Sequence, residues 1–422
     1  MIDFVYCAVV AGVTVEERAA SQRLPDRISI GVLARTFTDD LVNEVIDAAD
    51  AREVRFRLLP ARLTLVFVLA CWLFMRSGYG QVMGKIADAH VVDGLAGWQV
   101  PTTASLAKAR VRLGPQPVRL LFERVAGPAG TPQVPGVFWR DHRLVTMDGF
   151  TCDVPDTKEN AAYFGRGANG SGTPNPYPQL RAVALAEGGT RSLLAVRHGP
   201  HSSGEQTLAT GLAAALGPGM LCLADRNFPS WQLWRTFTAT GADLLWRMSA
   251  SFTLPVIEVL ADGSWISELK PPRKKDGPPI RVRIVEYTVW TTTDTGETMS
   301  ELFCLATTLL DPDTAPMAEL ADLYHARWQA ETGIGEIKTT QRGGPEVVFR
   351  SKTPDMVDQE FWAMLCIYQA IRDLIAYATP PELDPRRISF TNAIEAVRDW
   401  ATRAALSPRS NSRSSSSTSA PG

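Results

Sequence analysis

The spacing of hydrophobic residues changes once along this chain, near residue 127. From about residue 26 to residue 125, apolar residues recur at intervals of three and four, which is the spacing of amphipathic helices. The apolar run 63–74 lies between Arg62 and Arg76 and is shorter than the about 20 residues that a membrane span needs. We therefore predict an all-α N-terminal region with one buried helix and no membrane segment.

After the Pro/Gly-rich linker at 127–136, short apolar strands alternate with helices. Three successive strands are predicted first, followed by helix, strand, helix and strand. The predicted strands are 144–147, 179–187, 191–198, 220–224 and 244–248, and the predicted helices are 205–216 and 231–240. This order is typical of an α/β fold with a ribonuclease H-like mixed sheet, which many enzymes of nucleic-acid phosphoryl transfer share. A fold alone does not give a function.

Two further helices, at 317–338 and 361–376, follow a β-rich and Pro-rich stretch. We predict that this stretch is a separate insertion. The predicted division is a leader (1–25), a helical domain (26–130), a ribonuclease H-like domain (141–378, with the insertion at about 251–310) and a C-terminal segment (379–422). The Ser-rich end of that segment has the low complexity of a disordered tail.

Composition limits the partners of the protein. A formal net charge of −2 argues against a protein that coats nucleic acid, so a DNA-binding surface has to be local. Six cysteines without a CxxC pair fit neither a zinc site nor a disulfide scaffold and indicate a reducing, cytoplasmic setting.

One local basic surface is predicted on two short helices that meet at Gly114 and Pro115. The helix before this turn carries Lys108, Arg110 and Arg112. The arrangement is compatible with a helix-turn-helix DNA-binding domain. A solvated helix face explains the same residues.

Two aspartates follow apolar strands of the predicted sheet. Asp148 comes after the first strand and Asp225 after the strand at 220–224. In this sheet order the two strand ends are neighbours, and carboxylates from separate elements are the ligands with which a protein holds Mg²⁺ for phosphodiester chemistry. Each acid alone has another reading, since Asp-Gly is common in turns and Asp-Arg in surface loops.

A third acid lies on the helix predicted at 317–338. Tyr324, Arg327, Glu331 and Lys338 stand at offsets of 0, 3, 7 and 14. At about 100° per residue, they fall within a stripe roughly 60° wide. On that face Glu331 can bind metal, while Arg327 and Lys338 can meet phosphate oxygens of DNA. Tyr324 can stack or form a hydrogen bond there. The alternative is an amphipathic helix with an Arg327–Glu331 pair.

The spacing Tyr-x2-Arg-x3-Glu-x6-Lys, preceded by both aspartates, resembles the signature of the insertion-sequence-four type of bacterial Asp-Asp-Glu (DDE) transposases. The likeness extends from about residue 26 to residue 376. It implies cut-and-paste transposition at terminal inverted repeats, by a homodimer that binds double-stranded DNA at the element ends and at the target. It also implies that Asp148, Asp225 and Glu331 are the catalytic residues and hold two Mg²⁺ or Mn²⁺ ions. A protein of this kind is expected in the bacterial cytoplasm, on the nucleoid when it is bound to DNA.

The resemblance further implies a tryptophan of the insertion that stacks on a flipped base near a DNA hairpin. Trp290 is the first candidate and Trp265 the second, and the alternative for either is a place in the core. Arg226, next to Asp225, is a candidate phosphate contact.

Two other functions remain open from the sequence. One is a nuclease of the same fold that hydrolyses DNA without joining it. The other is a non-catalytic or decayed relative that binds the repeats as a repressor. Gly333 and Gly335 in the predicted signature helix, and Pro380-Pro381 followed by the Ser-rich end, keep a decayed or truncated copy among the alternatives.

Overall fold

The computed structural model describes residues 31–55, 57–88, 100–168, 172–292, 298–326, 335–337, 347–380 and 383–403. Its helices are α1 (Asp39–Ala48), α2 (Ala61–Leu73), α3 (Tyr79–Asp88), α4 (Thr103–Leu113), α5 (Gln116–Val125), α6 (Lys158–Phe164), α7 (Glu205–Thr210), α8 (Trp231–Thr238), α9 (Met317–Ala326), α10 (Pro354–Ala378) and α11 (Phe390–Arg403). Among these residues, no helix is both long and apolar enough to span a bilayer.

The N-terminal region is helical, as predicted. Helix α2 is buried around nearly its whole circumference, in agreement with its strongly apolar sequence. Helix α4 begins where the Thr102 side chain accepts a hydrogen bond from the backbone N–H of Ser105 at 3.2 Å. It ends at Gly114, whose φ of +69° lies in the left-handed region, and α5 follows at once. The predicted pair of short helices is therefore confirmed.

One mixed sheet forms the centre of the rest of the described chain. Its strands are β1 (Phe138–Trp139), β2 (His142–Asp153), β3 (Gln179–Glu187), β4 (Leu193–Pro200), β5 (Met220–Ala224), β6 (Asp243–Arg247), β7 (Glu258–Val259), β8 (Trp265–Leu269), β9 (Ile280–Thr292) and β10 (Thr298–Thr307). They lie in the order β4-β3-β2-β5-β6-β10-β9-β8-β7, and β1 pairs with β2. Strands β2, β3 and β4 are antiparallel neighbours, whereas β2, β5 and β6 are parallel. This topology confirms the ribonuclease H-like sheet.

The β-rich insertion does not form a sheet of its own. Strand β10 pairs with β6, with Leu305 opposite Arg247, and β9, β8 and β7 continue outward from it as antiparallel neighbours. Because β6 would otherwise expose an unpaired edge, β10 covers the hydrogen-bonding groups of that edge. The expectation of a separate unit is corrected to an extension of the central sheet.

The two faces of the sheet are covered by different helices. On one face, Val145 and Met147 of β2 share a core with α7 and α8. On the other face, Phe150 and Cys152 of β2 pack with α10 and the N-terminal helices. Further along this second face, Leu221 and Leu223 of β5 pack under α9. Side chains alternate between faces along a strand, so the face on which a residue lies follows from its position.

Several elements differ in length from the prediction. Strand β2 continues past Asp148 to Asp153, because it pairs with β3 along that stretch. Helix α7 ends at Thr210, and a short 3₁₀ turn replaces its predicted second half. Helix α11 had no counterpart in the prediction. Its residues Phe390, Ile394, Val397 and Ala401 repeat at helical spacing and are buried.

Candidate active site

Asp148 and Asp225 follow directly opposed residues of two parallel strands. Met147 of β2 is the register partner of Ala224 of β5, and each aspartate is the next residue in its chain. Neighbouring strands lie about 4.8 Å apart, so the two carboxylates come from adjacent positions at one edge of the sheet. The prediction that this sheet order makes them neighbours agrees with the register. The strand end differs, because the pairing of β2 with β5 stops at Met147 although β2 itself continues.

Both aspartates belong to the sheet face that α9 and α10 cover. Asp148 alternates with Met147, which faces α7 and α8, and is opposite Ala184, whose side chain packs on the α10 side. Leu221 and Leu223 of β5 face α9, and Asp225 is the next residue of the same alternating set, so its side chain lies on that face too. The two carboxylates therefore lie on the side of the sheet that α9 and α10 cover.

A tight turn fixes Asp225. Its Oδ1 accepts a hydrogen bond from the backbone N–H of Asn227 at 3.0 Å, and its Oδ2 accepts one from Asn227 Nδ2 at 3.2 Å. This is an Asx-turn, in which the side chain imitates a backbone turn. Asn227 was missed from the sequence, although the spacing Asp-x-Asn after a strand is the signal of such a turn.

Gly149 allows another carboxylate to approach the Asp148 strand. A Cβ atom at position 149 would lie 2.5 Å from Glu205 Oε1, closer than real contacts allow. The backbone N–H of Gly149 donates to Asp148 Oδ1 at 2.8 Å. Glu205 begins α7, on the sheet face opposite the Asp148 side chain, and its position in the sequence gives no sign of this close approach to Gly149.

Helix α9, which begins the four-residue signature, is anchored beside Asp225. The Tyr324 hydroxyl donates a hydrogen bond to the backbone carbonyl of Ala224 at 3.2 Å, one residue before Asp225. The Tyr324 side chain is 0% exposed and packs under the sheet together with Leu320. The DNA contact predicted for Tyr324 does not fit this burial, and the tyrosine instead ties α9 to the end of β5.

The other three signature residues, Arg327, Glu331 and Lys338, lie outside the described residues. The chain is described again at 335–337, where Ile337 is buried in the core shared with α10. Tyr324, before the undescribed stretch, packs in the core that α9 forms with the sheet. Ile337, after that stretch, packs in the core that α10 forms with the sheet.

The residues present fit a divalent metal ion. Two carboxylates supply hard oxygen donors at one edge, which is the ligand type that Mg²⁺ and Mn²⁺ take. Within the described ranges, no group of three or more His, Cys, Asp or Glu side chains is close enough to hold a metal. The predicted third ligand, Glu331, is not among those ranges.

Two models of known families match successive parts of the chain. A family model described as insertion element 4 transposase N-terminal matches residues 27–123, and one described as transposase DDE domain matches residues 139–370. The chain belongs to the insertion-sequence-four type of DDE transposases. It is therefore an enzyme that acts on DNA, and divalent metal use goes with this family.

Two proteins of Escherichia coli strain K12 are similar to the transposase. The transposase InsG of insertion sequence element IS4 is 27% identical over 339 residues, which cover 79% of this chain and 74% of InsG. The InsZ protein is 30% identical over 158 residues, which cover 37% of this chain and 53% of InsZ. Among solved structures, a piggyBac transposase synaptic complex with hairpin DNA matches 90% of this chain and 82% of its own chain, at 10% identity and a TM-score of 0.44.

The structure divides the basic residues of α4 between surface and core. Lys108 is exposed, in keeping with a DNA contact. Arg110 is 7% exposed, and its guanidinium donates to Gln359 Oε1 at 2.9 Å and to Ser351 Oγ at 3.1 Å. The DNA contact predicted for Arg110 is corrected, because its donors join α4 to α10. Arg112 is exposed overall, yet its Nη2 donates to the Leu59 carbonyl at 2.5 Å.

Arg226 lies at the edge where the two aspartates lie. Its side chain is 61% exposed, and its Nη1 is 3.9 Å from Glu301 Oε1 of β10. The same Glu301 pairs with Arg247, whose guanidinium lies 3.8 Å from the centre of the Phe303 ring. An exposed guanidinium beside Asp225 can meet a phosphate, so the contact predicted for Arg226 stays a prediction.

The β9–β10 hairpin extends beyond this same edge. Leu305 of β10 pairs with Arg247, the last residue of β6. Ser300, the register partner of Trp290, lies five residues before Leu305 in β10 and therefore beyond the end of β6. Five strand residues span about 17 Å. Trp290 is 70% exposed on this projecting part, whereas Trp265 is half-buried against the core with α7 and α8. Trp290 is thus available for stacking, and Trp265 has the core position that was the alternative.

We expect Trp290→Ala to slow formation of a DNA hairpin by about 10- to 100-fold, because stacking of an extruded base on an aromatic ring contributes about 1–3 kcal/mol. Its melting temperature should stay at the wild-type value, since the ring is 70% exposed. Hairpin products on a denaturing gel and thermal melting check both points. Trp265→Ala is the contrast, and it should lower the melting temperature. If Trp290→Ala formed hairpins at the wild-type rate, Trp290 would not be the residue that stacks on the extruded base.

Proposed function

We propose that Asp148, Asp225 and Glu331 hold two Mg²⁺ or Mn²⁺ ions, with which the transposase cleaves its element ends and joins them to target DNA. The observation that carries the proposal is the adjacency of Asp148 and Asp225 on the sheet face to which Tyr324 anchors the signature helix. Bound metal ions would acidify the attacking hydroxyl and stabilise the leaving oxygen.

The path of the chain supports Glu331 as the third ligand. Tyr324 is held under β5, and Ile337 is held in the core with α10. The fourteen residues from Tyr324 to Ile337 join two parts of the face on which the aspartates lie. Glu331 is seven residues after Tyr324 and six before Ile337. The other acid of this stretch, Glu336, has both carboxylate oxygens engaged by arginines and is a poor metal ligand.

Three features of the described part of the chain suit a DNA substrate. Arg226 offers an exposed guanidinium next to Asp225, and Lys108 is exposed on α4. The β9–β10 hairpin, which carries the exposed Trp290, projects beyond the strand ends where Asp148 and Asp225 lie. We propose that these residues contact phosphate and an unstacked base. Arg327 and Lys338 belong to the same proposal from their place in the signature.

Strand-transfer assays test the proposal. Purified transposase is incubated with labelled element ends and a supercoiled target plasmid in Mg²⁺ and in Mn²⁺. Products in which a 3′ end of the element is covalently joined to a plasmid strand are expected. Nicked or shortened ends without joined products would indicate a nuclease, and end binding without any cleavage in Mn²⁺ would indicate a repressor.

We further propose that the transposase acts as a homodimer on paired element ends and associates with the nucleoid in that form. Mass photometry with and without end DNA measures the stoichiometry. Two protein copies with two ends are expected, and a stable complex of one copy with one end that supports strand transfer would contradict it.

A further inference from the structure

A buried cluster of three charges holds the chain just after the signature glutamate. The Glu336 side chain is 11% exposed and lies between the side chains of Arg191 and Arg372, which are 7% and 0% exposed. Arg191 Nη1 donates to Glu336 Oε1 at 2.7 Å, and Arg372 Nη2 donates to Glu336 Oε2. One carboxylate thus serves two buried guanidinium groups, one with each oxygen.

The two arginines come from elements that are tied to each other. Arg191 lies in the turn between β3 and β4, and Arg372 lies on α10. The Tyr368 hydroxyl of α10 donates to the Arg191 carbonyl at 3.2 Å, and the backbone N–H of Leu193 donates to Gln369 Oε1 at 2.7 Å. The arginines therefore form a fixed base against which Glu336 is held.

The backbone at Arg191 indicates that its side chain is needed. Its φ is +62°, a left-handed conformation that residues with side chains adopt rarely. A glycine would accept this conformation without strain, and two glycines, Gly188 and Gly189, stand just before it in the same turn. An arginine in that place is explained by the contact that its guanidinium makes with Glu336.

The charges of the cluster also require one another. Burial, and next the charge of Arg191, lower the pKa of Arg372 to about 9. Two buried cations near each other are costly without a counter-charge, and the Glu336 carboxylate lies within hydrogen-bonding reach of both. Removal of this carboxylate would release residue 336 from both arginines.

We propose that Glu336 is a positioning residue for Glu331, because its two arginine contacts hold residues 335–337, which follow the third metal ligand closely in the chain. Glu331 precedes Glu336 by five residues, and both Gly333 and Gly335 lie between them in the sequence. Glycines weaken a helix, so local preference alone does not hold this stretch and a tertiary anchor is required. The proposal rests on the proposed role of Glu331.

The test compares Glu336→Gln with Asp358→Asn, both well below their melting temperatures. Glutamine keeps the size of Glu336 and removes its charge. Asp358 is a matched control on the same helix as Arg372, where it pairs with His198 at 2.7 Å. Two quantities are measured for each variant: amide hydrogen exchange of peptides covering 327–338, and the Mn²⁺ concentration that gives half-maximal cleavage of element ends.

We expect Glu336→Gln to speed exchange in 327–338 and to raise the half-saturating Mn²⁺ concentration by about 10- to 100-fold, the range for loss of groups that orient metal ligands. Binding of element ends should be retained, and Asp358→Asn should leave both quantities at wild-type values. Unchanged exchange in 327–338, or faster exchange spread equally over α10 and the β3–β4 turn, would overturn the proposal. A wild-type protein that cleaves no ends would refute the proposed function, while the exchange result would still decide the role of Glu336.

Discussion

Replacement of Asp225 by asparagine is expected to reduce DNA cleavage by about 10³-fold or more, while binding of element ends stays within about threefold of wild type. Asparagine keeps a side-chain oxygen that can accept the hydrogen bond from the Asn227 backbone, so the turn after β5 should persist. It loses the negative charge that a divalent ion requires. Cleavage rates and gel-shift titrations with labelled ends measure the two effects separately.

Asp243→Asn is the matched control for this prediction. Asp243 begins β6, at the opposite edge of the same sheet, where it contacts His142 at 3.1 Å and Thr308 at 2.7 Å. Its replacement should affect stability and leave the cleavage rate of folded protein near wild type. If Asp225→Asn lost end binding and cleavage in equal measure, Asp225 would be a structural residue and not a metal ligand.

The second large effect is expected at Tyr324. Tyr324→Ala removes a fully buried ring that packs under β5 and near Phe303, and should destabilise the fold by about 3–5 kcal/mol. Tyr324→Phe keeps the ring and removes only the hydrogen bond to the Ala224 carbonyl, so a loss of about 0.5–1.5 kcal/mol is expected. Urea denaturation followed by circular dichroism gives both values.

The same pair of variants separates anchoring from DNA contact. If Tyr324 anchors α9, Tyr324→Phe should bind element ends as wild type does, with a small loss of stability. Unchanged stability of Tyr324→Phe together with weaker binding of element ends would indicate that Tyr324 contacts DNA. That result would contradict the buried position of Tyr324.

The main features of the fold could be predicted because strong local signals and the sheet order agreed. Apolar strands at β3 and β5 and the capped helix after Thr102 each have a clear pattern in the sequence. The length of β2 could not be predicted, because its second half forms only through pairing with β3. The place of β10 beside β6 is likewise a long-range contact that hydrophobic spacing does not encode.

The candidate site could be predicted in part. Asp148 and Asp225 follow apolar strands, and a known sheet order is enough to make them neighbours. The roles of Arg110 and Tyr324 could not be assigned, since a helical pattern does not distinguish a basic or phenolic side chain that faces DNA from one that joins two helices. The distribution of burial, which is a property of the whole fold, decides between these roles.

The central claim is that Asp148, Asp225 and Glu331 share bound metal ions. Anomalous diffraction from crystals of the transposase with a cleaved element end and Mn²⁺ tests it most directly. Anomalous peaks are expected within coordination distance of carboxylate oxygens of all three residues. A Glu331 side chain directed away from the two aspartates, too far for any ion to contact it together with either, would contradict the claim.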